Sequence, residues 1–353
     1  MAGVSGGRLV PSGCAFLLAF ALATGIVTAA PAWPQDLRQE AAKGRSLSAA
    51  EAATLEARLL DNPQDLRARA QLVGYYHTGR RANPRRHTEH VLWFIRNAPE
   101  SEVLDSGPAR ITPMFDADGY LEAKRTWQRL VREEPENVTI LRHAAGFHAP
   151  SETALAAALL RQAEDLEPSN PDWALELAGL EWREARRFPE GRDPAGAARA
   201  LVHFERAYDL SGAVDRVDLL PDLALAAFAS GEPDKARVHA LAMLEAAPDR
   251  RDRGDPLHYG NLVLGHIALG ANDLEEARAR LLAAGRTGRL PIERSGAPDM
   301  SLAKALLQRG ESGAVLEYLE LCLDFWVEGE ERLRDWIVLV EAGLVPDFRP
   351  LEF

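Results

Sequence analysis

Small and large apolar residues recur along this chain in sets that return after roughly 34 residues, the period expected of stacked helical hairpins. The clearest set lies between Thr139 and Pro168: Ala144 and Phe147 first, then Ala156, Leu160 and Ala163, with Pro168 closing it. A second clear set is Gly265, Ala277, Leu281 and Ala284. Steps of three and four residues keep such positions on one helix face. A small residue where two helices cross, with a larger one filling the gap beside it, is the signature of a hairpin packed on its neighbours. Alternating Val/Ile/Thr runs are missing, so no strand is predicted. The fold class predicted is all-α: an array of stacked helical hairpins.

Start and stop signals divide the pattern into elements. Ser48, with Glu51 three residues on, forms a capping box at the head of a helix Ser48–Leu60. Asn62-Pro63 leads to a second helix, Asp65–Thr78, stopped at Gly79. The period then breaks. His87–Asn97 reads as an amphipathic helix, and Pro99–Phe115, with three prolines, as an ordered loop. Ala123, Trp127 and Leu130 restart the array in Ala117–Glu133. The unit closing at Pro168 comes next, then one with Leu175, Gly179 and Trp182 ahead of Ala200, Phe204 and Ala207, its turn lengthened by Arg187–Asp193. Three more hairpins are predicted: Leu220–Ser230 with Lys235–Ala247, Leu257–Gly270 with Leu274–Ala284, and Ser301–Gln308 with Ala314–Phe325. Glu330–Ala342 reads as a closing cap helix, stopped by Gly343 and Pro346. The domain organisation that follows is a signal peptide over 1–32, a linker over 33–47, the array over 48–325 with an insertion at about 85–116, and a cap helix and tail over 326–353.

The leader is read from Arg8 as a thin positive region, the apolar run Ala15–Val27 and small residues near Ala30 that suit cleavage. An uncleaved membrane anchor over Cys14–Ala32 is the competing reading. An exported chain, periplasmic or secreted and of bacterial type, is the expectation. Of the two cysteines Cys14 lies in the leader, so Cys322 is left without a partner for an internal disulfide and reads as buried filler. The formal charge of −12 over 353 residues disfavours binding to a phosphate backbone, so no nucleic-acid partner is expected. Local arginine clusters (Arg80, Arg81, Arg85, Arg86; Arg250, Arg251, Arg253) read as solvated loop charge.

These spacings resemble the tetratricopeptide repeat over roughly Asp65–Phe325, and the resemblance implies that the all-α array is a right-handed superhelix of such hairpins. Leu264-Gly265 with Ala277 and Ala284 match its pattern, as do Gly179, Trp182, Phe204 and Ala207. The copies are degenerate: His143 stands where leucine is usual, and no proline follows Ala207. The strings HVLWFIRNAPE and HYGNLVLGHIAL are also similar to a bacterial, signal-bearing repeat lineage without assigned activity. In the family the first helices of successive hairpins line a concave groove that binds peptides or protein segments. Carried over by position, the groove residues implied are Tyr75, His148, Trp173, Glu176, Arg183, Phe228, Tyr259 and His266. Trp93, in the insertion, is a further candidate. The lysine and asparagine pattern with which some members hold a C-terminal carboxylate is absent.

Motifs that carry chemistry are not found. The sequence has no H-E-x-x-H, no G-x-S-x-G, no phosphate-cradling glycine loop and no paired cysteines. His87 and His90 lack an identifiable third metal ligand, and no metal or cofactor is expected. The sequence therefore points to a non-catalytic scaffold that binds a protein or peptide partner in the cell envelope or outside the cell. Two alternatives stay open: an all-helical barrel enzyme acting on polysaccharide, and a small-ligand binder recognisable by a deep apolar pocket.

Overall fold

A computed structural model describes residues 36–79, 82–186, 193–247, 254–287 and 297–348. The leader, Arg80, Arg81, most of the Arg187–Asp193 insertion and the Arg250–Arg253 cluster lie outside these residues. Leu37–Phe353 forms one compact unit. Among the described residues there is no strand, and consecutive helices pack on one another in an all-α array. No described helix is long and apolar enough to cross a membrane.

Five helical pairs make up the array from residue 138 onward: α6 (Val138–His148) with α7 (Thr153–Leu166), α8 (Pro171–Ala185) with α9 (Pro194–Leu210), α10 (Ala213–Ser230) with α11 (Pro233–Ala246), α12 (Gly254–Gly270) with α13 (Leu274–Gly285), and α14 (Ser301–Leu307) with α15 (Ser312–Cys322). Their starts are set locally. Asn137 and Asp273 accept backbone N–H groups from the third residue on, Asn170 from the second, and proline opens α8, α9 and α11. The small positions of the repeat carry the packing: Ala144, Ala156, Ala163, Ala200, Ala207, Ala277 and Ala284 are fully buried. Gly265 is equally tight, since a Cβ there would lie 2.3 Å from a methyl of Leu302. Gly179, by contrast, has open space beside it.

Helix α10 begins at Ala213, well ahead of the predicted Leu220, and runs through Pro221. A proline directly after Leu219-Leu220 reads as a helix start. Here the preceding turns are held instead by Arg216, whose guanidinium donates to the carbonyls of Tyr208 and Asp209 at the end of α9.

The N-terminal part departs further from expectation. The segment 33–47, predicted to be a linker, contains helix α1 (Leu37–Gly44), which packs on α3 (Leu66–Thr78). The contact is backbone to backbone: a Cβ on Gly74 would lie 1.8 Å from the Ala41 carbonyl oxygen, and one on Gly44 1.9 Å from that of Gln71. Half of α1 is polar or charged, which hid it; one glycine on each helix lets the two approach. Helix α2 (Ala49–Asp61) has the predicted capping box, with Ser48 and Glu51 bonded reciprocally. Helix α4 (Pro84–Asn97), expected as an insertion, packs between α3 and α5 (Ala117–Glu133) as one more layer. The loop after it holds two 3-10 turns, Glu102–Asp105 and Gly107–Ala109, and buries Val103, Ala109 and Ile111.

Two large apolar clusters result. One joins α1 and α3–α8, the other α8–α16, where α16 is Glu330–Glu341 packed on α15. Helix α8 belongs to both: Trp173, Leu177 and Leu180 face the first, Ala174 and Ala178 the second. Ion pairs also link neighbouring hairpins, such as Arg206–Glu164 at 2.9 Å and Lys235–Glu205 at 2.7 Å. Each keeps its cation exposed to solvent and contributes about 0–1 kcal/mol, so apolar burial dominates.

Gly74→Ala is expected to destabilise the chain by about 2–3 kcal/mol, because the obstructing atom is backbone that only a shift of α1 can move. Gly146→Ala, in open space on the exposed side of α6, should stabilise by about 0.5–1 kcal/mol. Urea unfolding of the two variants measures the difference in sign.

Candidate functional site

The first helices of successive pairs, α8, α10, α12 and α14, share one side of the C-terminal half and wall a half-open recess of about 640 Å³. Trp182 comes from α8 and Arg186 from the residue that ends it, Phe228 from α10, Tyr259 and His266 from α12, and Lys304 from α14. Trp326, Trp336 and the tail residues Asp347 and Phe348 complete it from the far side. Helix α12 is its spine: 13 of its 17 residues are buried.

Aromatic contacts run around the recess. Phe228 and His266 lie 5.2 Å apart between centroids, and the His266 Nε2 sits 2.8 Å from the Ser301 hydroxyl. Trp336 packs on Trp326 at 5.9 Å, and Phe348 meets Trp336 edge-on at 5.1 Å. The Arg186 guanidinium lies 5.5 Å over the Trp182 ring, a cation–π distance.

A buried clamp holds one rim. His258 is fully buried; its Nε2 accepts the Asp299 backbone N–H at 3.0 Å, so the ring is neutral with its proton on Nδ1, which donates to the Ala284 carbonyl at 3.1 Å. Tyr318, also fully buried, donates its hydroxyl to the Asp299 carbonyl at 2.9 Å. Both polar groups of the Asp299 residue's main chain are thus satisfied from the core, and its carboxylate accepts the Ser301 N–H at 2.7 Å, fixing the start of α14. Burial lowers the His258 pKa and raises that of Tyr318 well above the ordinary range. It also pushes the Cys322 thiol up, and the side chain is buried filler.

Of the residues carried over from the repeat pattern, Phe228, Tyr259 and His266 come together at this recess, and the others do not line it. Tyr75 is half-buried and edge-on to Tyr76. His148 is buried, with Nδ1 2.6 Å from Glu152. Trp173 is 4% exposed and donates its indole N–H to Glu167 at 3.0 Å, so the side chain faces the core. Glu176 pairs with Arg142 at 2.5 Å; desolvation raises its carboxyl pKa despite that cation. Arg183 is exposed and outside the recess. Trp93 is half-buried beneath the Arg69 guanidinium, 4.1 Å from its ring. Sequence reasoning did not place Trp326, Trp336, Phe348, Arg186 or Lys304 at a site. The available signal was the aromatic density of the last stretch, Phe325, Trp326, Trp336 and Phe348.

The histidines near the N-terminal end have structural partners. His87 Nε2 lies 2.6 Å from the Pro108 carbonyl, and His90 Nε2 3.1 Å from Glu56. Among the described residues no group of three His, Cys, Asp or Glu side chains is placed to hold a metal ion. No protein-family model matches the chain, and no curated protein matches it. Function is therefore argued from the recess itself.

His148, His203, His239 and His258 all have lowered pKa values, with burial the largest cause in each. Folded, they stay neutral to a lower pH than the unfolded chain, whose histidines titrate near about 6.5. Between the lowered values and that point the unfolded state binds more protons, so stability falls as pH drops through the window. The urea midpoint should decrease from about pH 7.5 to about pH 5.5. His258→Gln, which keeps a donor and an acceptor but does not titrate, should reduce that decrease.

Proposed function

We propose that this chain is a non-catalytic, tetratricopeptide-like scaffold, exported to the cell envelope or beyond, that binds a segment of a protein or peptide partner in the C-terminal recess. The observation that carries this reading is the convergence of Phe228, Tyr259 and His266 from successive first helices on one cavity of about 640 Å³. Aromatic side chains supply large contact area at small entropic cost, and interface hot spots are rich in them. A bulky apolar anchor desolvates the ring faces, while Arg186 and Lys304 at the same recess offer donors that fix register. Export rests on the apolar leader read from the sequence.

The volume favours a second reading too. Pockets of about 300–1,000 Å³ also hold small molecules, so an amphipathic small ligand is the alternative.

The test is selection from a random displayed-peptide library on the full chain, with Phe228→Ala as the counter-selected bait. Peptides sharing a bulky apolar anchor should emerge, and Phe228→Ala with unchanged helicity should weaken them by about tenfold or more. Peptides that bind both baits equally, or no enrichment at all, would overturn the peptide reading. Thermal-shift screening with small aromatic acids then decides the alternative.

A further inference from the structure

Tryptophan N–H groups around the recess go unused by the chain itself. Trp336, on α16, is 5% exposed and lines the recess, yet its indole N–H meets no acceptor among the described residues. After that helix Gly343, at φ +76°, reverses the chain: the Leu344 N–H reaches the Leu339 carbonyl at 2.9 Å, and Phe348 returns to meet the Trp336 ring edge-on. Trp182 and Trp326 line the same recess half-buried, and their indole N–H groups are likewise unbonded among the described residues. Trp173, which faces the core instead, gives its N–H to Glu167. Buried tryptophans usually find such a partner. Three open donors around one cavity therefore call for acceptors from outside the chain.

The acceptors at the recess, by contrast, are taken. The Asp299 carboxylate holds the Ser301 N–H, and the Asp299 carbonyl holds the Tyr318 hydroxyl. The Ser301 hydroxyl is bonded to His266 Nε2, Asp193 faces Arg199 at 3.9 Å, and Asp347 is engaged as well. A peptide N–H brought in here would find few partners, and a donor buried without one is costly. Proline carries the complementary set: a carbonyl that accepts, an apolar ring for an aromatic wall, and no N–H. In the polyproline II helix the backbone makes no internal hydrogen bonds, so each carbonyl is available to an indole.

From this surplus of donors on aromatic walls we infer that the recess takes a proline-rich segment of a partner protein in the polyproline II form. The proposal rests on the peptide-binding reading above and names the partner's chemistry. Such a segment is ordered before it binds, so little chain entropy is lost, and aromatic-lined grooves are its general mode of recognition. A sugar polymer could also stack on tryptophan, but its hydroxyls donate as well as accept and would meet the same shortage of acceptors.

The probe is a fluorescein-labelled oligoproline of about nine residues, three turns of the helix, blocked at both ends. The control is an alanine–serine peptide of the same length with the same label. Their anisotropy is titrated against the full wild-type chain and against Trp336→Phe and Trp182→Phe, which keep a ring and remove only the N–H. Oligoproline should bind the wild type at least about tenfold more tightly than the control. Each tryptophan variant should weaken it by about fivefold, the loss of one hydrogen bond. Trp93→Phe, outside the recess, should leave binding unchanged. Should Trp336→Phe lose helicity, Trp182→Phe at its half-buried position decides. The idea is sunk if the wild type binds oligoproline no better than the control, or if the variants with wild-type helicity bind it as tightly as wild type. Library-derived peptides that need Phe228 but are not enriched in proline would leave the scaffold reading standing and remove this one alone. A neutral oligosaccharide or a small aromatic acid that binds while no peptide does would overturn both.

Discussion

Close approach of helices at alanine and glycine is the constraint on which the rest of this protein depends. Each pair in the array meets its neighbour where a fully buried small residue lets the backbones draw together, and a leucine or aromatic residue fills the space beside it. The arrangement has little tolerance, because protein interiors are packed like crystals and a single added methyl group meets atoms that have nowhere to go. Gly44 and Gly74 take it to the limit of backbone contact between α1 and α3. The ion pairs between layers fix register and solubility more than they fix stability, being exposed and individually weak.

The recess follows from the same stacking. First helices repeated on one side bring their inward residues into line, so a site is assembled from positions far apart in sequence. What makes it a recess is the far wall, contributed by Trp326, Trp336 and the returning tail. The buried pair His258 and Tyr318 holds Asp299 from the core side, so the rim at Asp299 is anchored by two groups that do not line the recess. Low local polarity strengthens those bonds and keeps the imidazole neutral.

Much of this architecture was legible in the residues, for identifiable reasons. Helices with a strong small-and-large rhythm and a clear start signal, such as α6 and α7 or α12 and α13, emerged because packing and local capping agree there. The rhythm of Ala200, Phe204 and Ala207 was equally plain, although a side chain at Gly179 in the same unit would meet open space. Helix α1 was not legible: its one glycine, Gly44, signals a turn in isolation, and only Gly74 of α3 makes the pair a contact surface. The early turns of α10 were hidden by Pro221. For the candidate site, Phe228, Tyr259 and His266 were reached through the resemblance to the repeat family and line the recess, whereas Trp173 and His148, carried over in the same way, face inward. Periodicity fixes which face of a helix a residue takes, but the depth of that face depends on neighbours outside the repeat. The tail's contribution has no periodic signal at all, since it depends on a chain reversal at one glycine.

The sharing of α8 between two apolar clusters has a consequence for how the molecule breathes. Its Trp173 side belongs to one core and its Ala174 side to the other, so it is the only described helix with buried residues in both clusters. Stability in a linear array is a sum of local and nearest-neighbour contributions, and cooperative opening units end where such contributions change. Amide hydrogen exchange should therefore divide at α8. The N-terminal layers would open as one foldon and the recess-bearing layers as another, with α8 the slowest segment to exchange because either opening leaves half of it protected.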